Sequence, residues 1–356
     1  MKRFANVFLA LFLSQPLMAQ TEGAPKSRGN AFNPDIGLNA LFLYRSSTRG
    51  NDPASNPKNG FGVEEGELQF ASDVDPYFRA VGLLAFAEDP INGWEIEPEE
   101  LYGETLGLSL LTLKFGKFKA LVNKHNILHA HAYPFTDAPL VNTELLGDEG
   151  VNEAGISISA LLPTSWFLEL TLQAMSGENT LLFAHPEPNK NASVAYLDNL
   201  FDLTEDLTLQ LGGSYTMGQN AALGWSRVVG GDLTVKWKPV GNDSIRTLKW
   251  ANHYLSGDQD ADPLPSVRKQ GITSFLQWQG GQRWWLQART EYYTKYDGGD
   301  LMEVKRKNSA LYAFTPSEFS AVRFQLDQLE DGLEPIERRF LVQLNLSIGA
   351  HPAHQY

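Results

Sequence analysis

The chain has 356 residues, no cysteine and a formal net charge of −13, because 42 acidic residues outnumber 29 basic ones. The lack of cysteine excludes disulfides, thiolate nucleophiles and cysteine-based zinc sites, and so disfavours the disulfide-stapled secreted class. The acidic balance, without any basic stripe, argues against a nucleic-acid-binding protein.

The N-terminus has the pattern of a secretory signal peptide. Lys2 and Arg3 precede an apolar run from Phe4 to Leu13, and Leu17-Met18-Ala19 resembles a signal-peptidase site. The run is shorter than the ~20 residues that a membrane-spanning helix needs, and no later stretch reaches that length without charge. We therefore expect export and three parts: a signal peptide at residues 1–19, a flexible periplasmic segment at 20–34 and a transmembrane β-barrel at 35–356.

Apolar and polar residues alternate with a period of two along most of the chain. Between Trp166 and Met175 the even-numbered residues are apolar, whereas Glu169, Thr171 and Gln173 occupy the other face. The segment from Arg339 to Ile348 repeats the pattern. One apolar and one polar face are typical of a sheet with lipid outside and water inside, as in a transmembrane β-barrel.

Sixteen segments show this pattern, an even number, as in single-chain bacterial barrels. Short turns such as residues 72–76 and 279–282 are interleaved with mostly longer, Pro-, Gly- and Asp-rich segments. Since short turns face the periplasm in such barrels, both termini are expected there. The sequence thus predicts an all-β, antiparallel transmembrane barrel. Its strands should start near Asp35, Gly62, Tyr77, Glu100, Thr112, Ala154, Trp166, Ala192, Leu207, Trp225, Thr247, Gly271, Arg283, Ser309, Phe319 and Arg338.

Large aromatic residues fall near the expected strand ends. Two aromatic girdles mark the two interfaces of a lipid-facing barrel. A soluble β-sandwich or barrel is the alternative, but sixteen meandering strands with polar inward faces would leave it little interior to bury. The girdle residues are Trp166, Trp237, Trp250, Trp278, Trp284 and Trp285 at the periplasmic ends and Tyr44, Tyr215, Trp225, Tyr254 and Tyr292 at the outer ends.

Together these features resemble those of Gram-negative outer-membrane porins. The alternation at residues 344–348 and the final Tyr356 look like the C-terminal signal that the barrel-assembly machinery recognises, although residues 351–355 intervene. Segments 33–35, 75–78 and 129–140 look like a porin-like family of outer-membrane proteins that is loosely similar to phosphate-selective porins. The resemblance implies passive diffusion of small hydrophilic solutes or ions, contact with outer-membrane lipid and lipopolysaccharide, and a homotrimer, with a monomer as the alternative.

Charged residues on the inward faces would line the lumen. Acids and bases are equal in number there, so the wall lacks the basic ladder of a phosphate-selective channel. The mixed charges either create a transverse field across an open pore or pair with each other across strands in a filled wall. The expected lumen charges are Glu65, Glu67, Arg79, Lys114, Glu169, Arg289, Glu291, Arg323 and Arg339, together with Glu104, Asp232, Lys236, Lys249 and Asp327.

The third long loop, from Asn123 to Glu153, holds ~30 residues, far more than an ordinary hairpin turn. The porin resemblance implies that it folds into the lumen and narrows it. Its apolar anchors would be Leu140, Val141, Leu145 and Leu146, and its constriction residues His125, His129, His131 and Asp137. The three histidines offer a metal site for zinc, copper or nickel, or else their imidazoles only hydrogen-bond within the constriction. No other cofactor is expected.

No enzyme signature stands out in the sequence. His253 lies three residues from Ser256 without a recognisable hydrolase motif, so we expect a non-enzymatic protein. The acidic stretches from Glu88 to Glu100 and from Glu330 to Glu337 are expected in external loops, where they are solvated, bridged to lipopolysaccharide by divalent cations, or gather cations. The alternative to a channel is a structural or adhesive outer-membrane barrel with a closed lumen.

Overall fold

Sixteen strands, each hydrogen-bonded to its neighbours in the sequence, form an antiparallel sheet that closes when the first strand pairs with the last. In the closing pair, Leu38 lies opposite Ile348. The computed structural model describes residues 34–49, 59–89, 93–185, 190–241, 246–261, 264–332 and 334–349. The expected signal peptide, nearly all of the 20–34 segment and Tyr356 lie outside the described residues. The predicted sixteen-stranded all-β barrel is confirmed.

The strands are β1 (Asp35–Ser47), β2 (Gly60–Asp73), β3 (Phe78–Asp89), β4 (Gly93–Thr105), β5 (Leu111–Lys119), β6 (Asn152–Leu161), β7 (Phe167–Met175), β8 (Ala192–Asp202), β9 (Leu207–Gln219), β10 (Trp225–Trp237), β11 (Thr247–Ala261), β12 (Leu264–Gly281), β13 (Trp284–Asp297), β14 (Asp300–Ser317), β15 (Ser320–Asp331) and β16 (Glu337–Gly349). A 3₁₀ turn (Ala130–Ala132) and the helix α1 (Leu140–Leu146) lie between β5 and β6. In the described residues, no helix is long and apolar enough to cross a membrane.

The alternation of side chains puts apolar residues on the outside of the barrel and polar residues in the lumen. On β7, Leu172 is 47% exposed, whereas the adjacent Thr171 and Gln173 are 3% and 8% exposed. On β16, exposed Leu344 follows buried Gln343. An apolar outer face around a polar interior is the arrangement of a lipid-facing barrel.

Exposed aromatic side chains lie on the outer face at both ends of the barrel. We call the end at which β2 and β3 are joined the short-turn end, and the end at which β5 and β6 are joined the long-loop end. Trp166 and Trp237 are exposed at the short-turn end, and Tyr215 is exposed at the long-loop end. Trp285 does not belong to the predicted girdle. Neighbouring residues of a strand face opposite sides, so Trp284 points outward while Trp285 packs inside against a buried apolar cluster.

Three strands begin earlier than the alternation predicts: β4 at Gly93 rather than near Glu100, β12 at Leu264 rather than near Gly271, and β14 at Asp300 rather than near Ser309. At ~3.4 Å per residue, the 18 residues of β14 run well past an apolar band ~25 Å tall, even when the strand is tilted. Pairing therefore continues beyond the lipid band, where no lipid imposes alternation. Much of the acidic stretch predicted as an external loop accordingly belongs to β4.

Candidate functional site

Residues 120–151, between β5 and β6, fold into the barrel, and we call them loop three. Its helix α1 buries Val141, Leu145 and Leu146 in a cluster that includes Val228 and Leu255 of the wall. The fourth predicted anchor, Leu140, donates its backbone N–H to Glu291 Oε2 at 2.6 Å. The predicted inward folding of loop three is thus present in the structure.

Loop three crosses the lumen and contacts the wall on all sides. Its backbone and side chains meet strands from β2 to β16, so it forms a partition rather than a flap along one side. The contacts include Leu121 N–H to Gln173 Oε1 on β7 (2.8 Å), Ser214 Oγ on β9 to Val122 O (2.5 Å), Lys124 N–H to Asp232 Oδ2 on β10 (3.2 Å), Lys269 Nζ on β12 to Glu144 O (2.7 Å), Thr136 N–H to Gln325 Oε1 on β15 (3.0 Å) and Asn345 Nδ2 on β16 to His131 O (2.9 Å).

Asp137 ties loop three to the basic side of the wall. Arg289 donates from Nη2 to Asp137 Oδ1 at 2.6 Å and from Nη1 to Asp137 O at 2.9 Å. Lys307 pairs with the second carboxylate oxygen, and Gln325 Nε2 donates to Oδ1 at 2.9 Å. Burial raises the pKa of the Asp137 carboxyl, but the positive charges of Arg289 and Lys307 outweigh burial and hold that pKa well below its usual range. Glu291 completes the network, 2.9 Å from Arg289 Nε.

A second set of charges joins loop three to β2 and β4. His129 Nε2 lies 3.1 Å from Glu100 Oε2, and His129 Nδ1 lies 3.0 Å from Glu99 Oε2. Lys119 Nζ lies 2.7 Å from the other Glu99 oxygen, Oε1. His131 Nδ1 contacts Glu67. We call this set the Glu–His cluster, and it consists of Glu67, Glu99, Glu100, Lys119, His129 and His131. No side chain of the cluster is more than 15% exposed.

Two β-bulges bring extra glutamates into the lumen. The pairing of β2 with β1 skips Glu64, and the pairing of β4 with β3 skips Glu99. Because a bulge adds one residue and breaks the period of two, Glu64 and Glu99 share the inner face with Glu65 and Glu100. Strict alternation missed both residues. Pro98 was a usable signal, since proline within a strand is confined to edges and bulges.

One group of three side chains among the described residues brings metal-ligand atoms within 4.8 Å of one another: Glu67, Glu99 and His129. His125 is not part of this group. Its ring lies against that of Tyr133, with centroids 4.5 Å apart. Burial, followed by the charge of His253, lowers the pKa of His125 well below its ordinary value. The structure therefore brings His129 and His131 together, but it does not join the three predicted histidines in one site.

Asp232 holds a separate buried network on β8, β10 and β11. The Tyr196 hydroxyl donates to Asp232 Oδ2 at 2.9 Å, and His253 Nδ1 lies 2.5 Å from Asp232 Oδ1. Sequence reasoning assigned Asp232 to the lumen but missed Tyr196, because a tyrosine on an inward face carries no distinguishing pattern. Ser256 is three residues from His253 and so lies on the opposite face of β11. The two cannot act together as nucleophile and base.

Among the other predicted lumen charges, four bases have a favourable neighbour, whereas two glutamates lie beside other acids. The charges near loop three are thus partly paired and do not form a ladder of one sign. Arg323 Nη1 donates to Tyr133 O at 2.9 Å, Lys114 Nζ lies 4.1 Å from the Tyr102 ring centroid, Arg339 Nε lies 3.8 Å from Asp327 Oδ2, Arg79 is opposite Glu104, Glu169 is opposite Asp198, and Glu65 lies two residues before Glu67 on β2.

A small basic cavity of about 140 Å³ lies at the short-turn end. Lys236, Lys238 and Lys249 line it with Trp285 and neutral polar side chains, and none of its described lining residues is acidic. Lys236 on β10 is directly opposite Lys249 on β11. Like charges in directly opposed positions destabilise a sheet, so an anion in this cavity would be favourable.

Comparison with solved structures gives outer-membrane barrels of porin type. The chain is similar to OmpTdeltaL8, a loop-deletion mutant of an outer-membrane protein of Vibrio cholerae (TM-score 0.62, 11% identity, 90% of this chain and 100% of that one). It is also similar to Salmonella typhi OmpF (TM-score 0.61, 11% identity, 88% and 97%) and to an anion-selective porin from Comamonas acidovorans (TM-score 0.56, 11% identity, 88% and 98%). At this identity the likeness establishes the fold.

Comparison of sequences gives a nearer relative. No family model matches the chain. A protein of Aquifex aeolicus (strain VF5), described as uncharacterized, is 30% identical in a match that covers 85% of this chain and 71% of the relative. The chain therefore belongs to the same family as this Aquifex aeolicus protein, and it has the sixteen-stranded barrel fold of outer-membrane porins.

Proposed function

We propose that the protein is an outer-membrane channel of the porin type, through which small hydrophilic solutes or ions diffuse passively. The observation that carries this proposal is a closed barrel with an apolar outer face and a charged lumen narrowed by an inserted loop. A closed barrel satisfies all backbone hydrogen bonds in lipid, and a polar lumen holds the water through which solutes move.

The charges beside loop three give the proposed channel its preference for polar solutes. β2 and β4 carry glutamates and no base, whereas β13 to β15 carry Arg289, Lys307 and Arg323 together with Glu291 and Asp327. A solute that passes loop three therefore meets an acidic sector on one side and paired charges on the other. Such a field orders water and favours polar over apolar solutes.

We also propose where the protein is located and how it assembles. The similar solved proteins are described as outer-membrane proteins, which supports a Gram-negative outer membrane with the short turns in the periplasm and lipopolysaccharide around the long-loop end. Vibrio cholerae OmpT is described in a trimer form, and we extend a homotrimer to this chain. Chemical cross-linking in mild detergent should give a trimer band; a monomer at every cross-linker concentration would contradict the trimer.

A second candidate is a structural or adhesive barrel with a closed lumen. The observation that favours it is the set of contacts between loop three and strands on every side of the lumen. In that case the exposed acids at the long-loop end, such as Glu95 and Glu97, would meet surface partners.

Liposome swelling distinguishes the two candidates. Ala120 N–H donates to Val151 O at 2.8 Å, so the ends of loop three are adjacent and a short Gly-Ser linker can replace residues 123–149. Wild-type proteoliposomes should swell in small sugars and more slowly in larger ones, and the loop-deleted barrel should swell faster. Swelling only after deletion would establish the closed barrel. No swelling with either folded protein would overturn the channel.

A further inference from the structure

We propose that the Glu–His cluster binds one divalent transition-metal ion, with Glu67, Glu99 and His129 as its protein ligands. The inference goes beyond the channel function and holds whether or not the lumen conducts. The site would join three separate parts of the chain, since Glu67 lies on β2, Glu99 on β4 and His129 on loop three.

The ligand atoms are buried and lie close together. His129 Nδ1 is 3.0 Å from Glu99 Oε2, and Glu67 contacts His131 Nδ1, so a metal ion would replace these ion pairs. Both carboxylate oxygens of Glu67, Oε2 of Glu99 and Nδ1 of His129 nevertheless lack a hydrogen bond of good geometry among the described residues. Glu67 itself is 1% exposed. A buried polar atom without a partner is costly, and atoms of this kind in one place need an explanation such as an ion.

The spacing of these atoms suits a metal ion. All three ligand atoms lie within 4.8 Å of one another. Nitrogen and oxygen ligands sit at ~2.0–2.2 Å from zinc, which puts them within roughly 4 Å of each other. Small side-chain rotations therefore suffice to close the site, and the fourth position would remain for water.

Two neighbouring groups orient the ligands. Glu100 Oε2 lies 3.1 Å from His129 Nε2, so the Nε2–H can donate to that carboxylate while Nδ1 keeps its lone pair for the metal. Lys119 holds the other oxygen of Glu99 at 2.7 Å. A carboxylate on the far nitrogen of a ligating histidine is the usual arrangement in metal sites.

The excess of acidic side chains around the Glu–His cluster also favours a bound cation. Glu65, Glu67, Glu99 and Glu100 lie here on two bulged strands, β2 and β4, which flank β3, and Lys119 is the lysine of the cluster. Buried carboxylates in excess are stabilised by a bound cation. Because one ligand is an imidazole, the site should prefer Zn²⁺, Cu²⁺ or Ni²⁺ over Ca²⁺ and Mg²⁺, which take oxygen ligands.

Metal titration of the refolded full chain tests this site. After EDTA treatment, Zn²⁺ binding should saturate at one ion per chain, and Co²⁺ should give ligand-field absorption bands. Glu67→Gln, Glu99→Gln and His129→Gln should each weaken binding more than about tenfold, and Glu100→Gln by about 10–100-fold, as for other groups behind a ligand. The matched control is His125→Gln, a buried loop-three histidine outside the group, which should bind as wild type does.

Fold and metal binding can be separated in this experiment. Each variant is first checked on gels for the heat-modifiable mobility of a folded barrel. The Co²⁺ spectrum is recorded on the wild type, so it does not depend on whether any variant folds. No saturable binding, a wild-type Co²⁺ spectrum without ligand-field bands, or unchanged affinity in His129→Gln would overturn the site and leave an ion-pair latch between loop three and the wall. Equal losses in His125→Gln would instead show that the ligands are misassigned. Conductance is not a readout, so failure here leaves the channel proposal standing.

Discussion

Asp137 is the residue on which the position of loop three most depends. Its carboxylate lies between Arg289 and Lys307, whose side chains are each 2% exposed. Removing one partner of a buried ion pair costs more than the pair contributes, because the other charge is left without compensation. Asp137 shares these two bases with Glu291, which lies 2.9 Å from Arg289 Nε and 3.5 Å from Lys307 Nζ, so the loss of Asp137 would remove one of their two counter-charges.

Asp137→Asn should lower the free energy of unfolding by about 2 kcal/mol, because Arg289 and Lys307 each lose one charged hydrogen bond and keep only Glu291 as a counter-charge. Urea unfolding of the refolded barrel in detergent, followed by tryptophan fluorescence, measures the change. The control is Asp148→Asn, an exposed acid of the same loop, which should stay within about 0.5 kcal/mol of wild type. Equal effects of the two substitutions would contradict the role of Asp137.

The ion pairs of Asp137 predict that the stability of the fold depends on pH. The folded-state pKa of Asp137 lies well below the ordinary 3.8, so its contribution to stability is complete above that value and is lost as the pH falls toward the folded-state pKa. The advantage of wild type over Asp137→Asn should be constant between pH 5 and pH 8 and shrink below about pH 4. Urea midpoints of both proteins across this range test it, and an advantage that grows on acidification would show that the sign is wrong.

The sequence predicted part of the candidate site and missed the rest for a physical reason. Period-two alternation assigned Glu67, Arg289 and Glu291 to the inner face, and in the structure these three side chains are buried on strands with regular pairing at those positions. It omitted Glu64 and Glu99, since a bulge shifts which side chains face inward. The partner of each loop-three charge depends on how the loop packs, which no local pattern encodes.

The close packing of helix α1 against the wall depends on two glycines. A Cβ added at Gly257 would lie 2.6 Å from Leu145 Cδ1, and one at Gly271 would lie 2.9 Å from Val141. Because Gly257 on β11 and Gly271 on β12 have no side chain, α1 can approach the wall this closely. Loop three is therefore positioned by shape as well as by charge.

Gly257→Val should displace α1 and destabilise the barrel by about 1–3 kcal/mol, as overpacking does. Proteolysis of the folded protein measures the displacement, because loop three should be cut faster once its helix is dislodged. Gly213→Val is the matched control, since a Cβ there meets nothing within 4 Å. A cleavage rate in Gly257→Val no faster than in the control would contradict the packing argument.

The alternation of apolar and polar residues locates the strands but not all of their ends. Alternation located all sixteen strands because lipid on one side and water on the other impose it. It failed at the long-loop ends of β4, β12 and β14, which pair beyond the apolar band. There β13 and β14 are joined by a tight turn at Gly298-Gly299, where both φ angles are positive (58° and 95°).

The charge of the lumen changes along the barrel axis. Lys236, Lys238 and Lys249 line the cavity at the short-turn end, whereas the glutamates of the Glu–His cluster lie near the middle of β2 and β4. If the channel conducts, Lys236→Gln with Lys249→Gln should shift its reversal potential toward cation preference. Arg306→Gln, on the outer face over the Tyr292 ring, is the control and should leave the potential unchanged. Equal shifts in both proteins would mean that the lysines do not line the pathway.

The barrel and its inserted partition together make permeability the central question. Planar-bilayer recording of the refolded wild-type protein under a KCl gradient addresses it most directly. We expect stable current steps with a defined reversal potential, and larger steps when a short linker replaces residues 123–149. A correctly folded, heat-modifiable wild-type barrel that inserts but passes no current would contradict the channel, whether or not the loop-deleted barrel conducts.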